Sequence, residues 1–253
     1  MLARMHPGGM RQRLGLLRSA IGRVADRLSG LPGRELPPAE AYRLWAPRYP
    51  PRAHTLLMQV EQRAVLDVLP PVRGRRVIDL ACGTGRYALA LGAQSARVVG
   101  VDLSLEMLTH APADFPRVQG DLRAVPLRGA SADVVVCGLA VGHVRDLHAA
   151  MAEVARVLVP GGYAVYSDLH PGGRARGWRR DFRAADGRRY AVAFTAHQEA
   201  AHREALGGAG LALEVLHEAC VGEDLARTDP EAARFRRRWG DAPVVLVIRA
   251  RKV

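Results

Sequence analysis

The sequence is poor in the residues that mark secreted, zinc-binding and membrane proteins. It has three cysteines, Cys82, Cys137 and Cys220, which are too few for a disulfide framework and lack the CxxC spacing of a zinc site. No apolar run approaches the roughly 18 residues of a membrane-spanning helix. There is also no apolar segment of the kind found in secretory signal peptides. We therefore expect a cytoplasmic protein whose cysteines stay reduced.

Lysine is almost missing, although the chain is strongly basic. Of the 37 basic residues 36 are arginine, and the net charge of +12 divides into +6 for residues 1–71, +1 for 72–170 and +5 for 171–253. The arginine excess fits a GC-rich coding sequence. Alternatively, the basic flanks meet an anionic substrate or an acidic partner, because a guanidinium binds carboxylate and phosphate through two parallel hydrogen bonds.

The length and composition predict one α/β domain with extensions. Of the 253 residues 49% are apolar and 25% charged, which excludes wholesale disorder. Residues 1–34 predict a basic amphipathic arm, which could lie on anionic lipid, act as a transit peptide, be disordered or precede the true start. Residues 35–71 predict a helical cap. Residues 72–253 predict the main domain, with a substrate-covering insertion near 171–195.

From Arg75 onward, short β-rich runs alternate with helical ones, which is typical of βαβ units and a parallel sheet. The predicted strands are 76–80, 97–101, 117–120, 132–137, 163–167, 211–216 and 244–249. The predicted helices are 86–94, 104–109, 147–157 and 198–207. The connection between the last two strands is short and polar, so we expect them to pair as a hairpin-like antiparallel edge.

A glycine-rich turn, Asp79-Leu80-Ala81-Cys82-Gly83-Thr84-Gly85, leads from the first of these strands into a helix. Glycines let a ligand approach the backbone at a helix N-terminus. Gly83, Gly85 and Ala88 also match the G-x-G-x-x-A pattern of dinucleotide sites. The Asp79 carboxylate would repel a pyrophosphate and suits a ligand with a positive or hydrogen-donating group. Alternatively, Asp79 only caps backbone amides of the turn.

Two further carboxylates follow the next two strands. Asp102 can accept the hydroxyl groups of a ribose, or it can cap the following helix. Asp121 can accept an adenine amino group while Leu122 packs on the ring. Because the carboxyl ends of parallel strands share one edge of a sheet, three acids at successive strand ends indicate a nucleoside site.

These residues resemble the class I S-adenosylmethionine (SAM)-dependent methyltransferases. The resemblance covers about Arg75 to Asp168, including the turn Val157-Leu158-Val159-Pro160-Gly161-Gly162-Tyr163 before the fifth strand. It implies a Rossmann-like α/β fold with a seven-stranded sheet and a reversed last strand. The chain looks most similar to the group of malonyl-carrier-protein O-methyltransferases and ubiquinone or menaquinone C-methylases. One departure is Ala81, where the family usually has glycine and where a methyl group would crowd the ligand slightly.

The resemblance implies SAM as cofactor. The cofactor-binding set that it suggests is Asp79, Ala81, Gly83, Gly85, Asp102, Leu103, Asp121, Leu122 and Leu139. Asp79 and the loop backbone would hold the methionine part, and Asp102 the ribose. Asp121 with Leu122 would bind the adenine, and Leu139 would lie beside the methionine part.

Histidines are the candidate catalytic residues, since a phenol or alcohol acceptor needs a base. His143 follows the fourth strand and could orient or deprotonate an acceptor, and His170 follows the fifth strand, where it could instead cap a loop. The histidines lack a metal-ligand spacing, so we expect no metal.

The predicted substrate is a small organic or acyl-carrier-bound acceptor. The segment 137–143 lacks the [DN]-P-P-[YFW] clamp expected of nucleic-acid amino-methyltransferases, so we expect no nucleic-acid substrate. The arginines of 179–183 and 236–238 could dock an acidic carrier protein. Two alternative functions stay open: an NAD(P)-dependent oxidoreductase that uses the same glycine loop, and a non-catalytic SAM-binding regulator.

Overall fold

The computed structural model describes residues 33–253, which form two compact units. The larger unit comprises residues 49–178 and 194–253, and the smaller one comprises residues 33–48 and 179–193. The predicted amphipathic arm lies almost entirely outside the described residues.

Short helices and strands alternate along most of the described chain. In chain order they are β1 (Arg34–Leu36), α1 (Pro38–Trp45), a 3₁₀ turn (Ala46–Arg48), α2 (Leu56–Val68), β2 (Arg76–Leu80), α3 (Arg86–Gly92), β3 (Arg97–Asp102), α4 (Leu105–His110), β4 (Arg117–Gln119), β5 (Ala132–Cys137), a 3₁₀ turn (Val141–His143), α5 (Leu147–Val157), β6 (Leu158–Leu169), α6 (Pro171–Ala175), β7 (Arg180–Arg183), β8 (Arg189–Val192), α7 (Glu199–Gly208), β9 (Leu211–Cys220), α8 (Glu223–Thr228), α9 (Pro230–Trp239) and β10 (Pro243–Lys252).

The larger unit is built on a seven-stranded sheet with the order β4-β3-β2-β5-β6-β10-β9. Neighbours from β4 to β6 run parallel. The last strand, β10, is antiparallel to both β6 and β9. The predicted Rossmann-like α/β class with a reversed last strand is confirmed.

Both faces of this sheet are buried, as its strand sequences require. Side chains alternate along each strand, so Val77 and Val134 join one core cluster while Ile78 and Val135 join the other. Helices α2 and α3 pack on the first face, and α5 and α7 on the second. Strands covered on both faces are nearly continuous apolar runs. Asp79 interrupts such a run in β2, so its carboxyl group lies in the interior.

The connection between β9 and β10 differs from the predicted hairpin. It contains α8 and α9, and α9 begins at Pro230 with Asp229 as its N-cap, whose carboxylate accepts the N–H groups of Glu231 and Ala232. This helix shows no apolar periodicity in the sequence, because α9 buries only Ala232 and is otherwise rich in arginine. The antiparallel pairing of the two strands was predicted correctly, but β10 lies inside the sheet and not at its edge.

The smaller unit is a three-stranded sheet with the order β1-β8-β7. β1 runs parallel to β8, and β7 is antiparallel to β8. Trp45 of α1 stacks on Phe182 of β7 with ring centroids 4.8 Å apart, and the guanidinium of the buried Arg180 lies 5.5 Å from the Tyr42 ring. This unit therefore joins part of the predicted cap to part of the predicted insertion, whereas α2 belongs to the larger unit. The substrate-covering role of the insertion stays a prediction.

Candidate functional site

The glycine loop turns from β2 into α3 through three residues with positive φ, namely Ala81 (57°), Gly83 (57°) and Gly85 (93°). A Cβ atom on Gly85 would lie 2.4 Å from the ring of Phe115, so this glycine makes room for a side chain of the protein. A Cβ on Gly83 would meet nothing within 4 Å. The backbone at Gly83 is therefore open to an approaching ligand.

Asp102 fixes this loop from the end of the neighbouring strand. Its Oδ2 accepts the N–H of Gly83 at 2.7 Å, and its Oδ1 accepts the N–H of Ser104 at 2.8 Å. The cap of α4 is the Ser104 hydroxyl, which accepts the N–H of Met107. Burial raises the pKa of Asp102, and the two amide donors oppose that shift. The neighbouring Leu103 is 53% exposed at the same edge.

Asp79 lies beneath the loop with 1% of its surface exposed. Its Oδ2 accepts the N–H of Ala88, in the first turn of α3, at 2.8 Å. Burial raises the pKa of this carboxyl group to about 7, while the hydrogen bond from Ala88 acts in the opposite direction. The contact present in the structure is thus the capping contact that the sequence left open. A role of the Asp79 charge toward a ligand stays a prediction.

Asp121 follows β4, and its carboxylate is bound by Arg123. The Arg123 guanidinium donates to both oxygens, at 3.0 and 2.6 Å, and its backbone N–H donates to Oδ1 at 2.8 Å. These hydrogen bonds lower the pKa of Asp121. Leu122 packs against the second core cluster. To accept an adenine amino group, the Asp121 carboxylate would have to be shared with Arg123 or released by it.

Leu139 follows β5 with a φ of 56° and is 3% exposed. Its N–H donates to the hydroxyl oxygen of Ser167 at 2.9 Å. Ser167 in turn donates to Oε1 of Glu61 at 2.6 Å. The turn after β5 is thereby connected, through β6, to a carboxylate of helix α2.

Glu61 is the centre of a buried polar network that the sequence motifs did not predict. It has no exposed surface, its Oε1 also accepts the Tyr87 hydroxyl at 2.8 Å, and its Oε2 pairs with Arg86 at 2.7 Å. The Arg86 guanidinium also donates to Gln62 at 3.2 Å. A signal was present, since Glu61 lies three residues after the buried Met58 on the core side of α2.

Gly138 lets this network approach the turn after β5. A Cβ atom there would lie 2.5 Å from the ring of Tyr87 and 2.9 Å from both Nη2 of Arg86 and Oε1 of Glu61. Any larger residue at this position would displace the buried charges.

The two candidate catalytic histidines lie in different surroundings. His143 ends the 3₁₀ turn after β5 and is half-buried. His170 caps α6, since its Nδ1 accepts the N–H of Gly172 at 3.1 Å and its Nε2 lies 2.8 Å from Glu218. Both ring nitrogens of His170 are therefore engaged, as in the loop-capping alternative.

A third histidine, His202, is fully buried beside β6. Its Nδ1 lies 3.3 Å from the Tyr166 hydroxyl, and its Nε2 lies 3.7 Å from Asp168. Burial lowers the pKa of His202 to about 4, so the ring is neutral near pH 7. Among residues 33–253 there is no group of three or more His, Cys, Asp and Glu side chains arranged to hold a metal ion.

The fold and the glycine loop resemble those of class I methyltransferases, and the comparisons with known proteins point the same way. Residues 78–166 match the family model described as "Methyltransferase domain". A crystal structure of a SAM-dependent methyltransferase from Mesorhizobium loti superposes with a TM-score of 0.65 at 27% identity, covering 78% of this chain and all of that one. The resemblance to SAM-dependent methyltransferases that the motifs indicated is confirmed.

For relatives with named activities, the match with this chain covers a smaller share of the relative's length. A malonyl-[acyl-carrier protein] O-methyltransferase from Enterobacter lignolyticus is 34% identical over 134 residues, which are 52% of this chain and 53% of that protein. A demethylmenaquinone methyltransferase from Renibacterium salmoninarum is 34% identical over 114 residues, which are 44% of this chain and 48% of that protein. The chain thus spans about half the length of these relatives.

The residues present fit SAM. The loop is open at Gly83, and Asp102 lies beside it as a half-buried residue. Asp102, together with Asp79 in its ionised form, adds negative charge next to the opening, which suits the sulfonium and ammonium groups of SAM better than a pyrophosphate. Asp102 would hold the ribose, and the backbone at Gly83 the methionine part.

Substituting Ala81 by glycine tests the backbone strain in the loop. An alanine with φ near 57° costs about 1 kcal/mol, which glycine relieves, although glycine also gains entropy in the unfolded chain. We expect Ala81→Gly to be neutral or to stabilise the fold by up to about 1 kcal/mol in urea unfolding. The control Ala93→Gly, at φ −60°, should destabilise it by roughly 0.5–1 kcal/mol. Equal losses of unfolding free energy in the two variants would show that the backbone at Ala81 is not strained.

Substituting Asp79 by asparagine tests the buried carboxyl group. The pKa of Asp79 is about 7 in the fold and about 4 in the unfolded chain, so the fold binds the extra proton between these values. The contribution of Asp79 to the unfolding free energy should therefore fall as the pH rises from 4 to 7, by up to about 4 kcal/mol. Asp79→Asn keeps an acceptor for Ala88 and should lack this decline.

The control for this experiment is Asp133→Asn, since hydrogen bonds from Arg76 lower the pKa of Asp133. That carboxylate stabilises the fold above its unfolded pKa, so the control should lose stability at neutral pH relative to wild type. Parallel profiles of unfolding free energy against pH for wild type and Asp79→Asn would refute the raised pKa.

Substituting Glu61 by glutamine tests the buried ion pair. The change leaves the Arg86 charge buried without its partner, so we expect a loss of about 3–5 kcal/mol in unfolding free energy. The control Glu199→Gln breaks an exposed pair with Arg203 and should cost about 0.5 kcal/mol or less. Comparable losses of unfolding free energy in the two variants, measured by urea unfolding, would show that the buried pair contributes no more to stability than the exposed one.

Proposed function

We propose that the chain transfers a methyl group from SAM to a small organic or carrier-bound acceptor. The observation that supports this most directly is the contact between Asp102 and the amide of Gly83, which joins two cofactor motifs beside an open backbone position. The family match over residues 78–166 points to the same chemistry.

The reaction is an in-line displacement at a sulfonium, and the cofactor supplies the methyl group. The protein's part is to align the acceptor and exclude water, which accounts for much of the acceleration in such reactions. Asp102 positions the nucleoside through its ribose. His143, just after β5, orients the acceptor or takes its proton, whereas the ring nitrogens of His170 already serve the α6 cap and Glu218.

The first experiment is titration calorimetry with SAM, its demethylated product and NADH. We expect micromolar binding of the first two ligands and none of NADH. Asp102→Asn should weaken SAM binding at least tenfold, since one amide group cannot replace a carboxylate that accepts from both ribose hydroxyls. Asp102→Asn keeps an acceptor for the amide of Gly83, so it should disturb the loop conformation less than Asp102→Ala.

Two results would favour the alternative functions. Binding of NADH without SAM would favour the oxidoreductase that the glycine pattern also permits. Tight binding of SAM without turnover over a panel of acceptors would favour a regulator, because a fold alone does not establish an activity.

Asp79→Asn separates the capping role of this residue from a role of its charge. Both side chains can accept the amide of Ala88, but only the aspartate attracts a cationic ligand. We expect the variant to bind SAM about tenfold more weakly than wild type, with a smaller change for the demethylated product, which keeps the ammonium group but lacks the sulfonium charge. Equal affinities of wild type and variant for SAM would assign Asp79 to the cap alone.

For the partner, we favour an acidic carrier protein that docks on arginines just after α6 and in α9. Trp178, three residues after α6, packs against Phe235 and Trp239 of α9 with centroids 5.2 and 5.7 Å apart, and so connects the segment after α6 to α9. The guanidinium groups of Arg176 and Arg238 lie over Trp178 and Trp239, which limits their freedom.

Among the arginines predicted to dock a carrier protein, those of α9 differ in how available they are. Arg236 already pairs with Glu223 and Asp241, so it is not available, whereas Arg234, Arg237 and Arg238 are exposed. The start of β10 pairs with the end of β6, and α6 follows that end, so this surface belongs to the edge of the sheet that also bears the glycine loop.

The double variant Arg237→Glu/Arg238→Glu tests the docking surface. We expect the KM for a carrier-bound acyl acceptor to rise at least tenfold and to lose most of its salt dependence, while kcat/KM for the free acyl thioester stays unchanged. The control is Arg128→Glu, an exposed arginine before β5 at the opposite edge. An unchanged KM for the carrier-bound acceptor would rule out this surface.

We also propose a cytoplasmic location, on the basis of the cysteines. None of the helices between residues 33 and 253 is long and apolar enough to cross a membrane. The thiols of Cys82 and Cys137 are free and buried, and burial raises the pKa of both, so they are unreactive core residues that suit a reducing compartment.

A further inference from the structure

Arg86 is the first residue of α3, directly after the glycine loop, and its side chain is 8% exposed. Its guanidinium is held on three sides: Nη1 pairs with Glu61 at 2.7 Å and donates to Gln62 at 3.2 Å, and the central carbon lies 4.3 Å from the ring centroid of Tyr87. A cation fixed this firmly loses little freedom when it binds an anion.

The second nitrogen, Nη2, is turned toward the turn after β5. A Cβ atom on Gly138 would lie 2.9 Å from it. Because β2 and β5 are neighbouring parallel strands, Gly138 and the glycine loop follow adjacent strand ends. The guanidinium therefore lies between the loop and the turn that ends in Leu139.

The charges around this point are mostly negative. Asp79, Asp102 and Glu61 lie on or under the loop, and Arg86 is the cation in direct contact with one of them. These carboxylates suit the positive groups of SAM, but they would repel the carboxylate at the end of its methionine part. The site therefore needs a cation at that end, and the predicted site residues included none.

We propose that Arg86 binds the carboxylate of the methionine part of the cofactor through Nη2. This inference rests on the proposed function, and it assigns to Arg86 a group of the ligand that Asp79, Asp102 and Asp121 cannot hold. Nη1 stays with Glu61, so ligand binding leaves the buried pair intact. The interaction is a charge-assisted hydrogen bond in a largely dry setting, for which we expect a contribution of about ten- to a hundredfold in affinity.

The test compares SAM with decarboxylated SAM, which keeps the sulfonium and ammonium groups and lacks only the carboxylate. Both ligands are titrated calorimetrically into wild type, Arg86→Gln and Arg123→Gln. Wild type should bind SAM about ten- to a hundredfold more tightly than the decarboxylated ligand. Arg86→Gln should reduce that ratio to nearly one by losing affinity for SAM alone. Arg123 pairs with Asp121, which is assigned to the adenine. Because both ligands contain the adenine, Arg123→Gln should leave the ratio unchanged.

The outcomes are distinct. Equal weakening of both ligands by Arg86→Gln would show a merely structural residue and overturn the inference, as would a wild-type ratio near one. Wild type that binds neither ligand would instead refute the proposed function itself. Thermal unfolding checks that each variant is folded. If Arg86→Gln does not fold, Arg86→Lys takes its place, and a ratio lowered severalfold is expected because lysine keeps the charge but loses the planar fork.

Discussion

The ion pair between Glu61 and Arg86 connects the elements at the edge of the sheet that bears the glycine loop. Both charges are buried, so removal of either one would leave the other without a partner in the interior and destabilise the fold. Through Oε1 of Glu61 the pair also reaches Tyr87 and, by way of Ser167, the backbone of Leu139. One carboxylate thus ties together helix α2, the start of α3, the turn after β5 and the end of β6. The positions of the loop and of the turn are consequently not independent of each other.

The parts of the fold that could be predicted are those whose signal is local. Strands β2 and β5 have the predicted bounds because each is an apolar run between breakers, and α5 has the predicted bounds because its apolar residues recur at helical spacing. Helix α9 escaped prediction because it buries a single alanine. The sheet of the smaller unit escaped because its strands have three or four residues and pair between segments far apart in sequence.

The same distinction applies to the site. The glycine loop and Asp102 follow from spacing along the chain, and the structure brings them into contact at 2.7 Å. The bonds of Asp79 to Ala88 and of His170 to Gly172 are the capping contacts that the sequence left open as alternatives. The bond of Asp121 to Arg123 was not predicted, although the two residues are only two positions apart. Glu61 was missed because its partners lie 25, 26 and 106 residues away along the chain.

The central place of β10 has a consequence for how the chain acquires its structure during synthesis. Strands β6 and β9 each pair with β10 on one side, so the sheet stays split until residues 243–252 have left the ribosome. Until then β6 exposes an apolar edge of unpaired backbone groups, which is a template for association between chains. The nascent protein is therefore most vulnerable to aggregation between the emergence of β6 and that of β10, after the strands beside the glycine loop have formed.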